Sequence, residues 1–140
     1  MTQRHSEALK WGTDYFIACH TSDFEFIGQI GDGYDDHAVW ESPENLGDMN
    51  RPSWKITTGG PGSDLAGETA AALAASSIWF RRLGDDDYAD QCLEHARKLQ
   101  EFADQYRGRY FKAISLSLMA NAKVHMYMMY MLYIFISPSN

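Results

Sequence analysis

The chain has 140 residues, 45% of them apolar and 14% aromatic, and carries 12 Lys and Arg against 19 Asp and Glu for a formal net charge of −7. That is enough for one domain with a core and too little for two; the apolar and aromatic content excludes a disordered chain. The acidity excludes a nucleic-acid binder, whose affinity rests on neutralising phosphates, and two cysteines far apart, Cys19 and Cys92, make neither a disulfide scaffold nor a zinc site.

Arg4, His5, Glu7 and Lys10 interrupt the first residues, and no apolar stretch of the signal-peptide kind follows them. The spacing then predicts a helix from Ser6 to Cys19, with Ser6 as N-cap. Its expected buried stripe is Ala8, Trp11, Tyr15 and Ala18, widened by Leu9, Phe16 and Cys19. His20 to Asp23 reads as a stop. From Phe24 to Thr58 the helical period vanishes. Phe26–Ile30 reads as a short strand or extended segment, and Gly31, Gly33, Pro43, Gly47 and Pro52 punctuate a long loop. Its aromatic content, Tyr34, Trp40 and Trp54, marks it as an ordered surface loop rather than a linker.

A breaker at Gly59–Gly62 precedes a helix from Ser63 or Asp64 to about Leu83, with either residue as its cap. Its small side chains (Ala66, Gly67, Ala70 to Ala72, Ala74 to Ser77) suggest a helix enclosed by others. Gly84 ends it and Asp85–Asp87 opens the next. There Tyr88, Ala89, Cys92, Leu93, Ala96, Leu99, Phe102, Ala103 and Tyr106 form one apolar stripe, with charged residues on the outside. The two helices and their short turn make an αα-hairpin. Phe111 to Asn140 differs in kind: it holds five of the seven Met and no acidic residue. Its uncharged run, Val124 to Ile136, is 13 residues, shorter than the roughly 20 that span a bilayer, so a membrane partner is not expected.

The local cluster Asp32-Gly33-Tyr34-Asp35-Asp36-His37 offers carboxylates and an imidazole, but its spacing is not that of an EF-hand and no second His or Cys lies nearby. No metal is therefore expected there. The cluster reads either as an acid/base pair of the glycosidase kind or as turn-forming Asp residues bonded to their own backbone. Beside it, Trp40 can stack on the apolar face of a sugar ring and His37 can hydrogen-bond its hydroxyls; equally, Trp40 can simply anchor the loop. Gly60 to Asp64 lacks the Lys and preceding strand of a phosphate loop. Cys19 and Cys92, on apolar helix faces, read as buried free thiols.

Taken together, several blocks resemble glycoside hydrolase family 9, in its animal endo-β-1,4-glucanase form. They are Leu9-Lys10-Trp11-Gly12-Thr13-Asp14-Tyr15-Phe16, Gly28-Gln29-Ile30-Gly31-Asp32-Gly33, Asp36-His37-Ala38-Val39-Trp40, Arg51-Pro52-Ser53-Trp54-Lys55-Ile56, Pro61 to Ala72, and Phe102 to Tyr110. The resemblance covers about Ala8 to Tyr110. It implies an all-α fold, part of an (α/α)6 barrel of six helical hairpins with a long irregular loop on the substrate cleft, for residues 1–110, followed by a non-family apolar tail, 111–140.

The resemblance also implies hydrolysis of cellulose and other β-1,4-glucans with inversion, an extracellular setting, no cofactor, and β-1,4-glucan as partner. By the family pattern His37 and Trp40 are substrate-binding, Trp40 stacking on a glucose ring and His37 hydrogen-bonding a hydroxyl. The family's water-activating Asp pair, its general-acid Glu and its calcium block match nothing in this sequence, so no residue here is assigned as catalytic or as a metal ligand. Asp32, Asp35 and Asp36 match neither catalytic motif. Val39 and Glu41 stand where the family usually has an aromatic and a Gly, and Trp54 and Trp79 replace smaller or hydroxylated residues. Three helices and a loop cannot close a six-hairpin barrel, so a marginally stable chain is expected unless the tail serves as a fourth helix.

Overall fold

The computed structural model describes residues 3–45, 47 and 51–114. The fourth-helix role expected of the tail therefore falls almost wholly outside the described residues. The order of elements is α1 (Gln3–Cys19), β1 (His20–Ser22), β2 (Glu25–Ile30), α2 (Gly33–Ala38), a 3-10 turn (Pro43–Asn45), β3 (Ser53–Ile56), α3 (Ser63–Arg82), α4 (Asp86–Gln105) and α5 (Tyr110–Ala113). The chain is mainly helical, as expected, and a small antiparallel sheet in the order β1-β2-β3 packs with the helices.

The α3–α4 hairpin is the centre of the fold. On α4 the expected stripe is the buried one: Tyr88, Ala89, Cys92, Ala96, Leu99, Phe102 and Ala103 all face inward. Asp85 caps the helix by accepting from the Tyr88 amide, and Arg81 at the end of α3 pairs with both Asp86 and Asp90. On α3 the buried face is Leu65, Ala66, Thr69, Ala70, Leu73, Ser76, Ser77 and Phe80. Its hydroxyls are satisfied inside the helix: Thr69 donates to the Leu65 carbonyl at 2.9 Å and Ser76 to the Ala72 carbonyl at 2.8 Å. Small polar residues can thus be buried without orphaned donors. Among the described residues Ala71 and Ile78 of α3 face outward.

The start of α3 departs from the expected cap. Gly62 holds the N-cap position, with no side-chain bond. Ser63 and Asp64 turn instead toward the chain that follows α4. Ser63 Oγ donates to the Gly108 carbonyl at 3.0 Å, and Asp64 Oδ1 accepts from the Leu65 amide at 3.0 Å and the Tyr110 amide at 2.9 Å. This clip carries the chain past Tyr110 into the core, where Ile114 is completely buried.

α1 begins earlier than expected, so Ser6 lies within the helix. Its buried side is also rotated. Thr13 and Cys19 are buried, and Leu9, Phe16 and Ile17 pack against the core, whereas Trp11 is 75% exposed and Tyr15 49%. The helix has apolar residues on two sides, and period alone does not say which is covered. Long-range bonds decide it. The Tyr88 hydroxyl donates to Asp14 Oδ1 at 2.6 Å and lies 2.6 Å from Thr13 Oγ1, and Lys10 Nζ sits 3.4 Å from the centre of the Tyr88 ring. Burial tends to raise the Asp14 carboxyl, but the hydrogen bonds from Tyr88 and Lys10 and the Lys10 charge outweigh it and hold it below its usual value.

The stretch Phe24–Thr58, expected to be largely irregular, is bracketed by paired strands. Phe26 lies opposite Ile56 and Gln29 opposite Trp54, with an irregularity between Ile27 and Gln29. Phe26 and Ile56 point into the core. A side chain on Gly28 would come within 2.7 Å of Ile114 Cδ1 and 2.8 Å of Leu65 Cδ2. The bulge is therefore a place where strand backbone and core nearly touch. Strands this short, paired across more than twenty intervening residues, leave little periodic trace in sequence.

Candidate functional site

The candidate site is built on the β2–β3 pair. Beyond Ile30 the chain turns through Gly31, whose φ of +87° is a left-handed value that glycine adopts without strain. The Gly31 amide donates to the Pro52 carbonyl at 2.7 Å and the Gln29 side-chain amide donates to the Gly31 carbonyl at 3.0 Å. The two ends of the excursion from Gly31 to Pro52 are thus fastened to each other.

Asp32 then caps α2, its carboxylate accepting from the Tyr34 amide at 2.8 Å and the Asp35 amide at 3.4 Å. Of the two readings of the acidic cluster, Asp32 follows the one in which Asp bonds to its own backbone. Asp35 is exposed, and the Asp36 side chain lies outside the described residues. His37 is a residue of α2, and its side chain too lies outside the described residues.

Trp40, just beyond α2, is fully exposed. It makes no anchor for the loop: its ring surface is available to a flat apolar ligand such as the face of a sugar. Around it in sequence, Ile30 (44%), Tyr34 (60%) and Val39 (42%) are also exposed. Four large apolar residues, Ile30, Tyr34, Val39 and Trp40, thus face outward on a segment with fastened ends. Sequence reading singled out Trp40 in this group but gave no role to Tyr34, Val39 or Ile30. The signal was present: apolar residues in a segment lacking any 2- or 3.6-residue period. Trp54, by contrast, is half-buried on β3 and packs against the core, so it is not part of the exposed surface.

Both cysteines are buried free thiols. Burial pushes the Cys19 thiol up, and pushes Cys92 up to about 11 against a smaller lowering from Tyr88. Neither is set up as a nucleophile. Among the described residues no group of three or more His, Cys, Asp or Glu could hold a metal ion. Nor, among them, is any helix long and apolar enough to cross a membrane.

Comparison with known proteins agrees with the helical fold. The family model described as glycosyl hydrolase family 9 matches residues 1–130, running past the boundary expected at Tyr110. Endoglucanase 19 of Arabidopsis thaliana is 50% identical over 111 residues, which is 79% of this chain and 17% of that protein. Endoglucanase 22 of Oryza sativa subsp. japonica is 51% identical over 112 residues, 79% of this chain and 20% of that protein.

Among solved structures, the endoglucanase of the termite Nasutitermes takasagoensis superposes with a TM-score of 0.78 at 48% identity, covering 94% of this chain and 31% of the termite chain. The cellulase Cel9M of C. cellulolyticum in complex with cellobiose superposes with a TM-score of 0.70 at 34% identity, covering 74% of this chain and 24% of Cel9M. The chain therefore spans less than a third of each of these relatives, and its helices correspond to part of their (α/α)6 barrel. On the extent of the family match, and with endoglucanases at about half identity, the chain belongs to glycosyl hydrolase family 9.

Proposed function

We propose that the chain forms part of the substrate cleft of an endo-β-1,4-glucanase and binds cello-oligosaccharides through Trp40 and His37. The observation that carries this reading is the full exposure of Trp40 on a segment whose ends are fastened by the Gly31–Pro52 bond. Trp40 would stack on the apolar face of one glucose unit, and His37, three residues earlier, would hydrogen-bond a hydroxyl nearby. The cellobiose held by Cel9M supports this ligand class.

The reaction proposed for the whole enzyme is hydrolysis with inversion. It needs a general base to activate water on one side of the sugar and a general acid on the other, about 6.5–9.5 Å apart. Neither role is assigned to residues 1–140. Asp32 is engaged as a helix cap, and the cluster around it matches neither catalytic motif. In this reading the chain supplies binding and positioning, with no cofactor, and the acid and base come from the remainder of a family barrel. The setting is extracellular, by likeness to the family alone.

Calorimetric titration of the full chain with cellohexaose tests this. The expected result is measurable binding that weakens at least tenfold, about 1.4 kcal/mol, in Trp40→Ala, with no hydrolysis of soluble cellulose derivatives by the 140-residue chain. Binding unchanged in Trp40→Ala, or hydrolysis by the chain alone, overturns the corresponding half of the proposal.

A further inference from the structure

A second group of polar side chains lies away from the cleft segment, at the seam between the α1–β1 corner and α4. The rings of His20, the first residue of β1, and His95, in α4, meet nearly edge to face with centroids 4.9 Å apart and an interplanar angle of 72°. Their Nδ1 atoms are 2.8 Å apart, so one donates a proton to the other. His20 is buried, 8% exposed, and its Nε2 has no hydrogen-bond partner. His95 is partly exposed. The arrangement with least cost puts the shared proton on His20 Nδ1, leaves His20 Nε2 bare, and places the second proton on His95 Nε2.

A third proton cannot be added without harm. With the Nδ1–Nδ1 bond intact, both Nε2 atoms must then be protonated, so the pair carries a positive charge and His20 Nε2–H becomes a buried donor with no partner. A fourth proton sets two Nδ1–H groups against each other. We propose that His20 and His95 form an acid-sensitive latch, which holds the α1–β1 corner and the β1–β2 hairpin on α4 while both rings are neutral and releases them on protonation. Because β2 leads directly into Gly31 and the Trp40 segment, release at this seam loosens the foundation of the cleft surface.

The charged groups acting on the pair are Asp23 from the β1–β2 turn and Glu94 and Lys98 from α4; among the described residues α3 contributes none. Lys98 is itself tied to Asp23 at 3.2 Å and Glu94 at 2.9 Å, across the same seam. Burial, with the neighbouring His95 and Lys98, lowers the His20 imidazole below its usual value, against a raising hydrogen bond with the Asp23 backbone and the Asp23 charge. Burial likewise lowers His95, with Lys98 adding to it and Glu94 opposing. A depressed folded-state value means that the unfolded chain takes up protons first as pH falls through the ordinary His range near 6.5. Stability is therefore full above that range and declines below it. The carboxylates titrate lower, so above about pH 5.5 their protonation does not contribute.

The test uses the full chain between about pH 7.5 and pH 5.5. The melting midpoint of the wild type is expected to fall by roughly 4 °C or more across this interval, whereas that of the double variant His20→Phe with His95→Phe stays nearly flat. Amide hydrogen exchange of the wild type alone keeps the proposal testable if the variant does not fold. Protection at His20–Ile30 should be lost before protection in α3 and α4. Nitrogen NMR of the imidazoles should show His20 protonated on Nδ1 and His95 on Nε2 at the upper pH. Two rings that titrate independently at the ordinary His value, with β1–β2 protection unchanged, would overturn the latch, whatever the outcome for glucan binding.

Discussion

The α3–α4 hairpin and the segment from Gly31 to Pro52 place their large side chains in opposite ways. In the hairpin Leu73, Phe80, Leu99 and Phe102 are buried, while Ile78 and Leu83 lie on its outer side. In the segment, Tyr34, Val39 and Trp40 are exposed, and its two ends are fastened to each other through the β2–β3 pairing and the Gly31–Pro52 bond. A surface held at its ends by backbone bonds can leave its aromatic residues facing solvent, because they are not needed to hold it in place. That division of labour, a packed scaffold and an exposed tip, is what a binding site on a rigid support requires.

The largest effect expected from testing this contrast is in the hairpin. Leu99 is completely buried, and Leu99→Ala should cost about 2–5 kcal/mol through lost transfer energy and the cavity left behind. The urea midpoint should drop accordingly at unchanged m-value. A cost below about 1 kcal/mol would mean that the hairpin is not the scaffold. A smaller effect is expected at the junction of scaffold and sheet. Gly28→Ala forces a methyl to within 3 Å of Ile114 and Leu65, and such overpacking costs typically 1–3 kcal/mol. Shortening one of the two neighbours, as in the double variant Gly28→Ala with Ile114→Val, should recover part of the loss. If it does not, the strain lies in the bulged backbone rather than in side-chain contact.

How much of this was legible in the sequence follows the same divide. The stripe on α4 could be read because a five-turn amphipathic helix repeats its signal many times. Trp40 stands out in the sequence through a family pattern, whereas its full exposure is seen only in the structure. The buried side of α1 could not, since Trp11 and Tyr15 are as apolar as Leu9 and Phe16, and the choice between them is made by Tyr88, more than seventy residues away. The same holds for the His20–His95 contact and for the turn of Asp64 toward Tyr110. Each is one contact between residues distant in sequence, with no periodicity to announce it. The cap position of α3 differs from expectation for that reason: Ser63 and Asp64 have the right chemistry for an N-cap, but Ser63 bonds to Gly108 and Asp64 divides its bonds between Leu65 and the distant Tyr110.

The smallest effect on stability, and the most informative about the contrast, is expected at Trp40. Because its ring is fully exposed, Trp40→Ala should change the unfolding free energy by no more than about 0.5 kcal/mol, as for other surface substitutions. The same substitution should cost at least tenfold in cellohexaose affinity. A residue that loses binding without losing stability acts on the ligand and not on the fold. If Trp40→Ala instead lowered stability by more than about 1 kcal/mol and left binding intact, the tryptophan would be an anchor for the segment. The contrast between a packed hairpin and an end-fastened surface would then fail at its central residue, and the exposed group left to test would be Ile30, Tyr34 and Val39.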